Sequence, residues 1–274
     1  MKLRVSFLAV VCLAIAAFAA WSLLGTSPLS AAPSAALASP TAQEEPGNIS
    51  RVWTMTIKPG MQQQFEEAIV QHWEVHRQLN DPAAYTVFVI EDGEKAGQYG
   101  VITSGHHWAD FDAHEGEILA ADQADFAANV AQYVDSTTSI ITAGLPSVSN
   151  PPAPGTPYKF AQVYEYRLDF EESAGFVRLL EKAKKAADAT GWPWNYSWST
   201  LVSGGEGPIF YAVAFLDNWA AFAGPDQTFE AMLEEAVGRE EAEEIMEGFY
   251  EAIEGVNVWI ARLRPDLSYV PAVQ

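Results

Sequence analysis

Trp108-Ala-Asp-Phe111 and Trp219-Ala-Ala-Phe222 stand 111 residues apart, and their similarity is the strongest indication of how this chain folds. The same shift aligns residues 51–111 with residues 162–222 without a gap. Similarity at a fixed spacing indicates that one structural unit occurs twice. The predicted division of the chain is 1–25, a signal peptide or signal anchor; 26–48, a tether rich in Ala, Ser and Pro; 49–148, the first copy; 149–157, a Pro-rich linker; and 158–270, the second copy.

Each copy is predicted to contain the element order β-α-β-β-α-β. The first strand alternates, so that Trp53, Met55 and Ile57 share one face. The helix after it carries apolar residues at helical spacing. The predicted helices cover residues 61–79, 109–134, 172–190 and 226–252, and the predicted strands cover 51–57, 85–90, 99–104, 138–143, 160–168, 195–202, 209–215 and 256–263.

This order predicts an antiparallel sheet in each copy, with both helices on one face. The other face of each sheet is left bare and needs a partner. The second copy on the same chain can supply it, which closes the two sheets into a barrel. The predicted fold class is therefore α+β, with tandem βαββαβ repeats that form one intramolecular barrel.

The N-terminal segment has the plan of a secretory signal. Lys2 and Arg4 precede an almost continuously apolar run, Val5–Leu24, and small residues follow it. The run could just cross a bilayer, so an uncleaved anchor is the alternative to a cleaved signal. We therefore expect an exported protein, periplasmic or extracellular, that meets a membrane only through an uncleaved N-terminal segment.

The charge and the cysteine content exclude several classes of function. A formal net charge of −21 at pH 7 repels nucleic acid and anionic lipid. Cys12, the only cysteine, lies in the N-terminal apolar run. The folded part therefore has no thiol for a disulfide, a cysteine-ligated cluster or a covalently attached haem. Because the two copies complete one barrel, we expect a monomer.

Two stretches resemble a known group of proteins. One is Lys58-Pro-Gly60 at the end of the first strand, followed by Phe65 on the helix. The other is Trp108-Ala-Asp-Phe-Asp-Ala-His114, similar to the Trp…Phe…His pattern that opens the second helix in that group. The organisation resembles the dimeric α+β barrel (ferredoxin-like) superfamily, and in detail its antibiotic-biosynthesis-monooxygenase and NIPSNAP-like group.

The superfamily includes cofactor-free oxygenases, haem-degrading and haem-binding enzymes, and members with no known activity, so the fold alone does not choose a function. In an enzyme, His114 is the candidate catalytic proton carrier, because an imidazole titrates near neutral pH. Trp108 is then the candidate wall of the catalytic pocket. The second copy has Pro225 at the position of His114, so only the first copy retains this histidine.

All five histidines lie in the first copy, and the predicted topology brings them towards one end of it. Two are one helical turn apart and share a face of the first helix. Imidazoles with a carboxylate suit a divalent ion such as Zn, Cu or Fe, and haem is the other cofactor to consider. The alternative is a set of half-buried, hydrogen-bonded or solvated histidines. The candidate metal ligands are His72, His76, His106, His107 and His114, with Asp110, Asp112 and Glu115 close in sequence.

A second candidate site is aromatic. Trp192-Pro-Trp194-Asn-Tyr196-Ser-Trp198 begins the second strand of the second copy. A flat apolar ligand could stack on these rings, or the rings could form the core or the seam of the barrel. The candidate ligand-binding residues are Trp192, Trp194, Trp198 and, on the first strand, Trp53.

Two functions remain open at the level of sequence. The interpretation that we favour here is an exported barrel protein that binds a small apolar or aromatic ligand, or an envelope partner, without catalysis. Its basis is that no catalytic pattern is complete. The alternative is an oxygenase-like or haem- or metal-dependent enzyme whose pocket lies in the first copy.

Overall fold

The structure, a computed structural model, describes residues 46–114, 116–153 and 155–271, with the backbone alone at residues 113 and 114. The predicted signal segment, 1–25, lies outside these residues, as does most of the predicted tether, 26–48. Within the described ranges, no helix is long and apolar enough to cross a membrane.

The two halves of the chain share one order of elements. The first half contains β1 (Ile49–Ile57), α1 (Gln62–Gln78), β2 (Thr86–Ile90), β3 (Tyr99–His106), α2 (Trp108–His114), α3 (Glu117–Asp125) and β4 (Val134–Gly144). The second half contains β5 (Phe160–Leu168), α4 (Ser173–Thr190), β6 (Tyr196–Ser203), β7 (Ile209–Leu216), α5 (Phe229–Val237), α6 (Arg239–Ala252) and β8 (Ile253–Leu263).

The second helical segment of each half is broken, where the sequence predicted one continuous helix. In the first half, α2 and α3 are separated at Gly116, and a π-helical turn, Phe126–Val130, follows α3. Gly116 has a φ of +150°, which residues with a side chain rarely adopt, so the helix is interrupted there. Gly238, with a φ of +83°, separates α5 from α6.

The eight strands form one closed barrel in the order β1-β3-β2-β8-β5-β7-β6-β4. The halves meet at two antiparallel seams, where β2 pairs with β8 and β4 pairs with β6. Each half thus supplies the strands that cover the edges of the other, and a closed barrel has no free edge. The predicted α+β fold with an intramolecular barrel is confirmed.

The core of the first half lies between the outer face of the barrel and α1. Phe65, Ile69 and Trp73 of this helix are buried there against β1. Full burial of such a side chain contributes about 1.5–3 kcal/mol. The indole N–H of Trp73 also donates a hydrogen bond to the carbonyl oxygen of Leu267, 2.7 Å away, beyond β8. Helix α1 is therefore fixed in one position.

The core of the second half is larger. Helices α4, α5 and α6 contribute Phe176, Phe229 and Phe249 to it. Ala183 and Ala187 of α4 align with His72 and His76 of α1 and are fully buried in this core. The halves share one order of strands and helices but differ at the positions where the first half carries imidazoles.

Candidate functional site

Helix α1 buries two histidines one turn apart. His72 is 3% exposed and His76 is 1% exposed, and their spacing places both on one face of the helix. Buried imidazole nitrogens require hydrogen-bond partners. Three aspartates provide them, namely Asp81, Asp122 and Asp125, and none of the three was predicted from the sequence.

The two imidazoles and three carboxylates form a continuous chain of contacts. His72 Nδ1 lies 2.8 Å from Asp125 Oδ2, and His72 Nε2 lies 2.9 Å from Asp122 Oδ1. His76 Nδ1 lies 2.7 Å from Asp81 Oδ2, and His76 Nε2 lies 3.3 Å from the same oxygen of Asp122. Both Nε2 atoms thus converge on one oxygen, while each Nδ1 faces a carboxylate of its own. We call these five side chains the His–Asp cluster.

The elements that carry the aspartates explain the arrangement. Asp81 follows α1 after a turn in which Asn80 has a positive φ of 53°. Its Oδ1 accepts the backbone N–H of Ala83 at 2.9 Å, which fixes the carboxylate. Asp122 and Asp125 lie three positions apart on α3, so they share a helix face. Because α3 begins anew at the glycine break, it can turn this face towards α1.

The aspartates also set the charge state of the cluster. Burial lowers the pKa of His76, but the close contact with Asp122, the hydrogen bond with Asp81 and the charges of both carboxylates outweigh burial and raise the pKa to about 9. Burial raises the pKa of Asp122, but the hydrogen bond with His72 and the close contact with His76 hold that pKa well below its usual range. Near neutral pH and without a metal, His76 is therefore an imidazolium between two carboxylates.

This geometry fits a divalent metal ion. One ligand atom from each of His72, His76 and Asp122 lies within 4.8 Å of the other two. Metal–ligand bonds of about 2.1 Å put neighbouring ligand atoms about 3 to 3.4 Å apart, close to the contacts of 2.9 and 3.3 Å. The 3.3 Å contact of His76 Nε2 is within ion-pair distance but is not aligned as a hydrogen bond.

The surroundings of the three ligands fit a metal as well. Imidazoles that bind a metal usually donate the other ring N–H to a carboxylate. His72 does so to Asp125 and His76 does so to Asp81. Two histidines and one carboxylate, with further positions open, are typical of non-haem iron oxygenases.

A cavity of about 870 Å³ lies beside the cluster, between the barrel and helices α1 to α3. Its volume suits a small organic molecule. His72 and Asp122 form part of its wall, so a ligand in the cavity reaches the cluster. The aromatic residues of the wall are Trp53, Trp73, Tyr85, Phe111 and Phe126.

The predicted histidine ligands are distributed unevenly around this cavity. His72 and His76 belong to the cluster. His106 lines the same cavity, where its Nε2 lies 2.6 Å from a threonine hydroxyl. His107 is exposed just beyond β3. The side chain of His114 lies outside the described part of the chain. A metal role for these last three residues, and a catalytic role for His114, stay predictions.

The predicted tryptophans also lie in different parts of the molecule. Trp53 lines the cavity. Trp108 is 53% exposed at the start of α2 and is not among the residues of the wall. Trp192 and Trp198 are 1% exposed in the second core, and Trp194 packs against that core. The structure does not bring these three together with Trp53, because they lie under helices α4 to α6. Their ligand-binding role and the catalytic role of Trp108 stay predictions.

A haem group does not fit the described histidines of the cavity wall. His72 has a carboxylate at both ring nitrogens, and Nε2 of His106 contacts a hydroxyl. Haem iron needs an axial ligand whose donor atom faces the macrocycle. The donor set of the cluster suits a small ion instead.

The chain has the dimeric α+β barrel fold, and solved structures resemble it along most of its length. A candidate monooxygenase from Lactobacillus acidophilus superposes with a TM-score of 0.52 and 11% identity, over 83% of this chain and 97% of that one. A candidate monooxygenase from Fusobacterium nucleatum gives a TM-score of 0.51 and 9% identity, over 81% and 94%. At such identity the likeness shows the fold. No protein-family model and no curated protein sequence matches the chain.

These comparisons contradict the interpretation that we favoured from the sequence, which was a binding protein without catalysis. Both of these neighbours are named as candidate monooxygenases. The cavity also has at its wall a group of side chains of the kind that active sites use. Of the two functions considered, the names of these neighbours agree with the enzyme rather than with the binding protein.

Proposed function

We propose that the protein is a metal-dependent, oxygenase-like enzyme whose active site is the cavity of the first half. His72, His76 and Asp122 hold a divalent ion at the cavity wall. An iron or copper ion at that position supplies the activation of dioxygen. The substrate is a small, largely apolar aromatic molecule, because aromatic side chains make up much of the wall.

The observation that carries this proposal is the orientation of the two imidazoles. Both Nε2 atoms meet at one oxygen of Asp122, while Asp125 and Asp81 hold the Nδ1 sides. Gathering three carboxylates around two imidazoles is costly when their charges are not compensated. A divalent ion between the Nε2 atoms and Asp122 compensates them.

Neighbouring side chains hold the cluster in one geometry. Tyr85 donates its hydroxyl to Asp81 Oδ2 at 3.2 Å, and Tyr269 donates to the carbonyl oxygen of Asp81 at 3.0 Å. The rings of Trp73 and Tyr85 stack with their centroids 5.3 Å apart. Since Tyr269 follows β8, both halves of the chain help to position the carboxylate that orients His76. Support of this kind maintains metal affinity.

Dioxygen uptake tests the proposal. The full-length chain is stripped with a chelator, reloaded with Fe(II), Cu(II) or Zn(II), and assayed with electron-rich phenols and naphthols. We expect uptake that requires iron or copper. His76→Ala and Asp122→Asn should lower it at least about 100-fold, because loss of a partner of a metal ligand already costs about 10–100-fold.

Gln71→Ala is the matched control, because Gln71 is an exposed residue next to His72 on α1 that does not line the cavity. It should retain the uptake rate of the unchanged protein. Equal uptake with and without metal would contradict the proposal, and so would equal losses in the Gln71 and His76 variants.

We further propose that the chain is a tandem member of the antibiotic-biosynthesis-monooxygenase and NIPSNAP-like group, exported as a monomer. The shared element order of the halves and the alignment at 111 residues support the tandem origin. The pattern of residues 1–25 supports export, and the barrel closed within one chain supports a monomer.

A further inference from the structure

We infer that the cavity selects a substrate with an anionic group, and that Arg51 binds this group. The inference deepens the proposed function, on which it rests, because it names the substrate class of the same cavity. Arg51 lies on β1, and its side chain forms part of the cavity wall. It is not one of the residues that hold the metal ion.

No ion pair with a carboxylate is formed by Arg51 among the described residues. Its Nε is buried without a hydrogen bond. Its guanidinium lies over the ring of Trp53, with Cζ 4.9 Å from the ring centroid. A buried donor without an acceptor is costly. A ligand that brings an anionic oxygen to this position removes that cost.

The lack of an ion pair at Arg51 is unusual because carboxylates are abundant in this protein, which has 36 acidic residues and 15 lysines and arginines. Arg239, Arg262 and Arg264 each form an ion pair with a nearby carboxylate. Asp110 also lines the cavity, but its Oδ2 accepts the backbone N–H of His107 at 2.7 Å. The charge of Arg51 is thus left available to the cavity.

A second polar group lies beside Arg51. Thr103 of β3 is its partner across the sheet. The hydroxyl of Thr103 and Nε2 of His106 are 2.6 Å apart, and both residues line the cavity. An anionic group at Arg51 therefore meets hydrogen-bonding groups on two strands.

Aromatic rings connect Arg51 with the His–Asp cluster. From the Trp53 ring the next contact is to Tyr85, with centroids 6.4 Å apart, and from Tyr85 to His76, with centroids 4.8 Å apart. A ligand whose anionic end binds Arg51 thus has ring surfaces beneath it as it extends towards the metal ligands. Because a guanidinium pairs with a carboxylate through two parallel hydrogen bonds, the geometry points to a flat aromatic carboxylate.

Calorimetric binding to the metal-free, full-length chain tests the inference. The probes are 2-naphthoate and the neutral 2-naphthalenemethanol, which share one ring system. The unchanged protein should bind the acid at least about tenfold more tightly than the alcohol. Arg51→Gln should remove this preference and leave affinity for the alcohol unchanged. Arg77→Gln, which alters an exposed arginine paired with Glu74, is the control and should retain the preference.

Arg51→Lys provides a second test in case the glutamine variant does not fold. It keeps the charge but not the two-pronged geometry, so the preference should fall several-fold. Equal affinity of the two probes for the unchanged protein overturns the inference, as does a preference that survives undiminished in the Arg51 variants. A preference for the acid that appears only with metal and disappears in Asp122→Asn would show that the acid binds the metal ion and not Arg51. This result also overturns the inference.

These outcomes are separate from those of the proposed function. A preference for the acid in chelated protein, without any metal-dependent dioxygen uptake, leaves the role of Arg51 standing and removes the oxygenase. Metal-dependent dioxygen uptake with no preference for the acid leaves the oxygenase standing and removes the role of Arg51.

Discussion

For single residues, the decisive feature is which ring nitrogen of each histidine faces which carboxylate. Asp125 and Asp81 occupy the Nδ1 sides, so both Nε2 atoms are directed at Asp122. A hydrogen bond at one ring nitrogen determines which nitrogen binds a metal. The same carboxylates that make His76 a suitable ligand also hold a proton on it when no metal is bound.

Metal affinity is expected to rise with pH up to about pH 9. Burial lowers the pKa of His76, but Asp122 and Asp81 raise it to about 9, so at pH 7 an ion must displace a proton. The affinity should increase about tenfold for each pH unit below pH 9 and level off above it. Calorimetric titration with Co(II) between pH 6 and pH 9.5 measures this dependence.

Asp81→Asn removes one of the two carboxylates that raise the pKa of His76, so its affinity profile should level off at a lower pH. An affinity that does not change between pH 6 and pH 9 would show that His76 is not a ligand.

Among the elements, the break between α2 and α3 is what brings carboxylates to the histidines. Asp122 and Asp125 both lie on α3, which starts again after Gly116. The φ of +150° at Gly116, which a residue with a side chain rarely adopts, sets where α3 begins. The position of the cluster therefore depends on one glycine conformation.

Gly116→Ala is expected to destabilise the protein by about 1–3 kcal/mol, because a side chain strains a backbone with a φ of +150°. Metal affinity should fall as well, since α3 carries Asp122. Chemical denaturation and Co(II) titration measure the two effects. Gly100→Ala is the control, because Gly100 lacks a positive φ and an added Cβ meets no atom within 4 Å. Equal effects of both substitutions would refute the importance of the break.

The strands, the first helix of each half and the shared face of His72 and His76 could be predicted from the sequence, because they follow from periodicity. The aspartates of the cluster could not be. Asp122 and Asp125 lay inside a segment that was interpreted as one continuous helix, and the break at Gly116 was not predicted. Two aspartates three positions apart after a glycine were the available signal.

The tryptophans of the second half show a different limit. An aromatic residue on the buried face of a strand gives the same sequence pattern whether it packs in a core or lines a ligand site. Trp192 and Trp198 are buried because α4, α5 and α6 cover them. Arg51 was missed for a similar reason, since the sequence does not show that its strand position faces a cavity.

For the molecule as a whole, the site of the first half depends on the end of the second. The carbonyl oxygen of Leu267 accepts the hydrogen bond that fixes Trp73. The hydroxyl of Tyr269 donates the hydrogen bond that fixes Asp81. Arg264 reaches α1 as well, where its two terminal nitrogens lie 2.6 and 2.9 Å from the carboxylate of Glu66. The two halves thus stabilise one site together.

Glu66→Gln is expected to lower the free energy of unfolding at pH 7 by about 1–2 kcal/mol. This is the contribution of a hydrogen bond between charged groups, reduced because the pair is partly exposed to solvent. The hydrogen bonds of Arg264 hold the pKa of Glu66 below its usual value. This stabilisation is therefore present above the unfolded value of 4.5 and is lost as the pH falls through the folded pKa. Urea denaturation at pH 7 and at decreasing pH measures it.

The difference between the unchanged protein and Glu66→Gln should accordingly shrink below about pH 4.5. Glu74→Gln is the control, because Glu74 and its partner Arg77 are both at least half exposed, and its effect should stay below about 0.5 kcal/mol. A Glu66 variant as stable as the Glu74 variant at pH 7 would refute the link between the halves.

Anomalous X-ray diffraction from crystals of the full-length chain grown with Zn(II) examines the metal site itself. We predict one strong peak beside the cavity, about 2.0–2.2 Å from Nε2 of His72, Nε2 of His76 and a carboxylate oxygen of Asp122. Crystals that contain zinc but show no peak at these three atoms, or show it only at other histidines, would contradict the assignment.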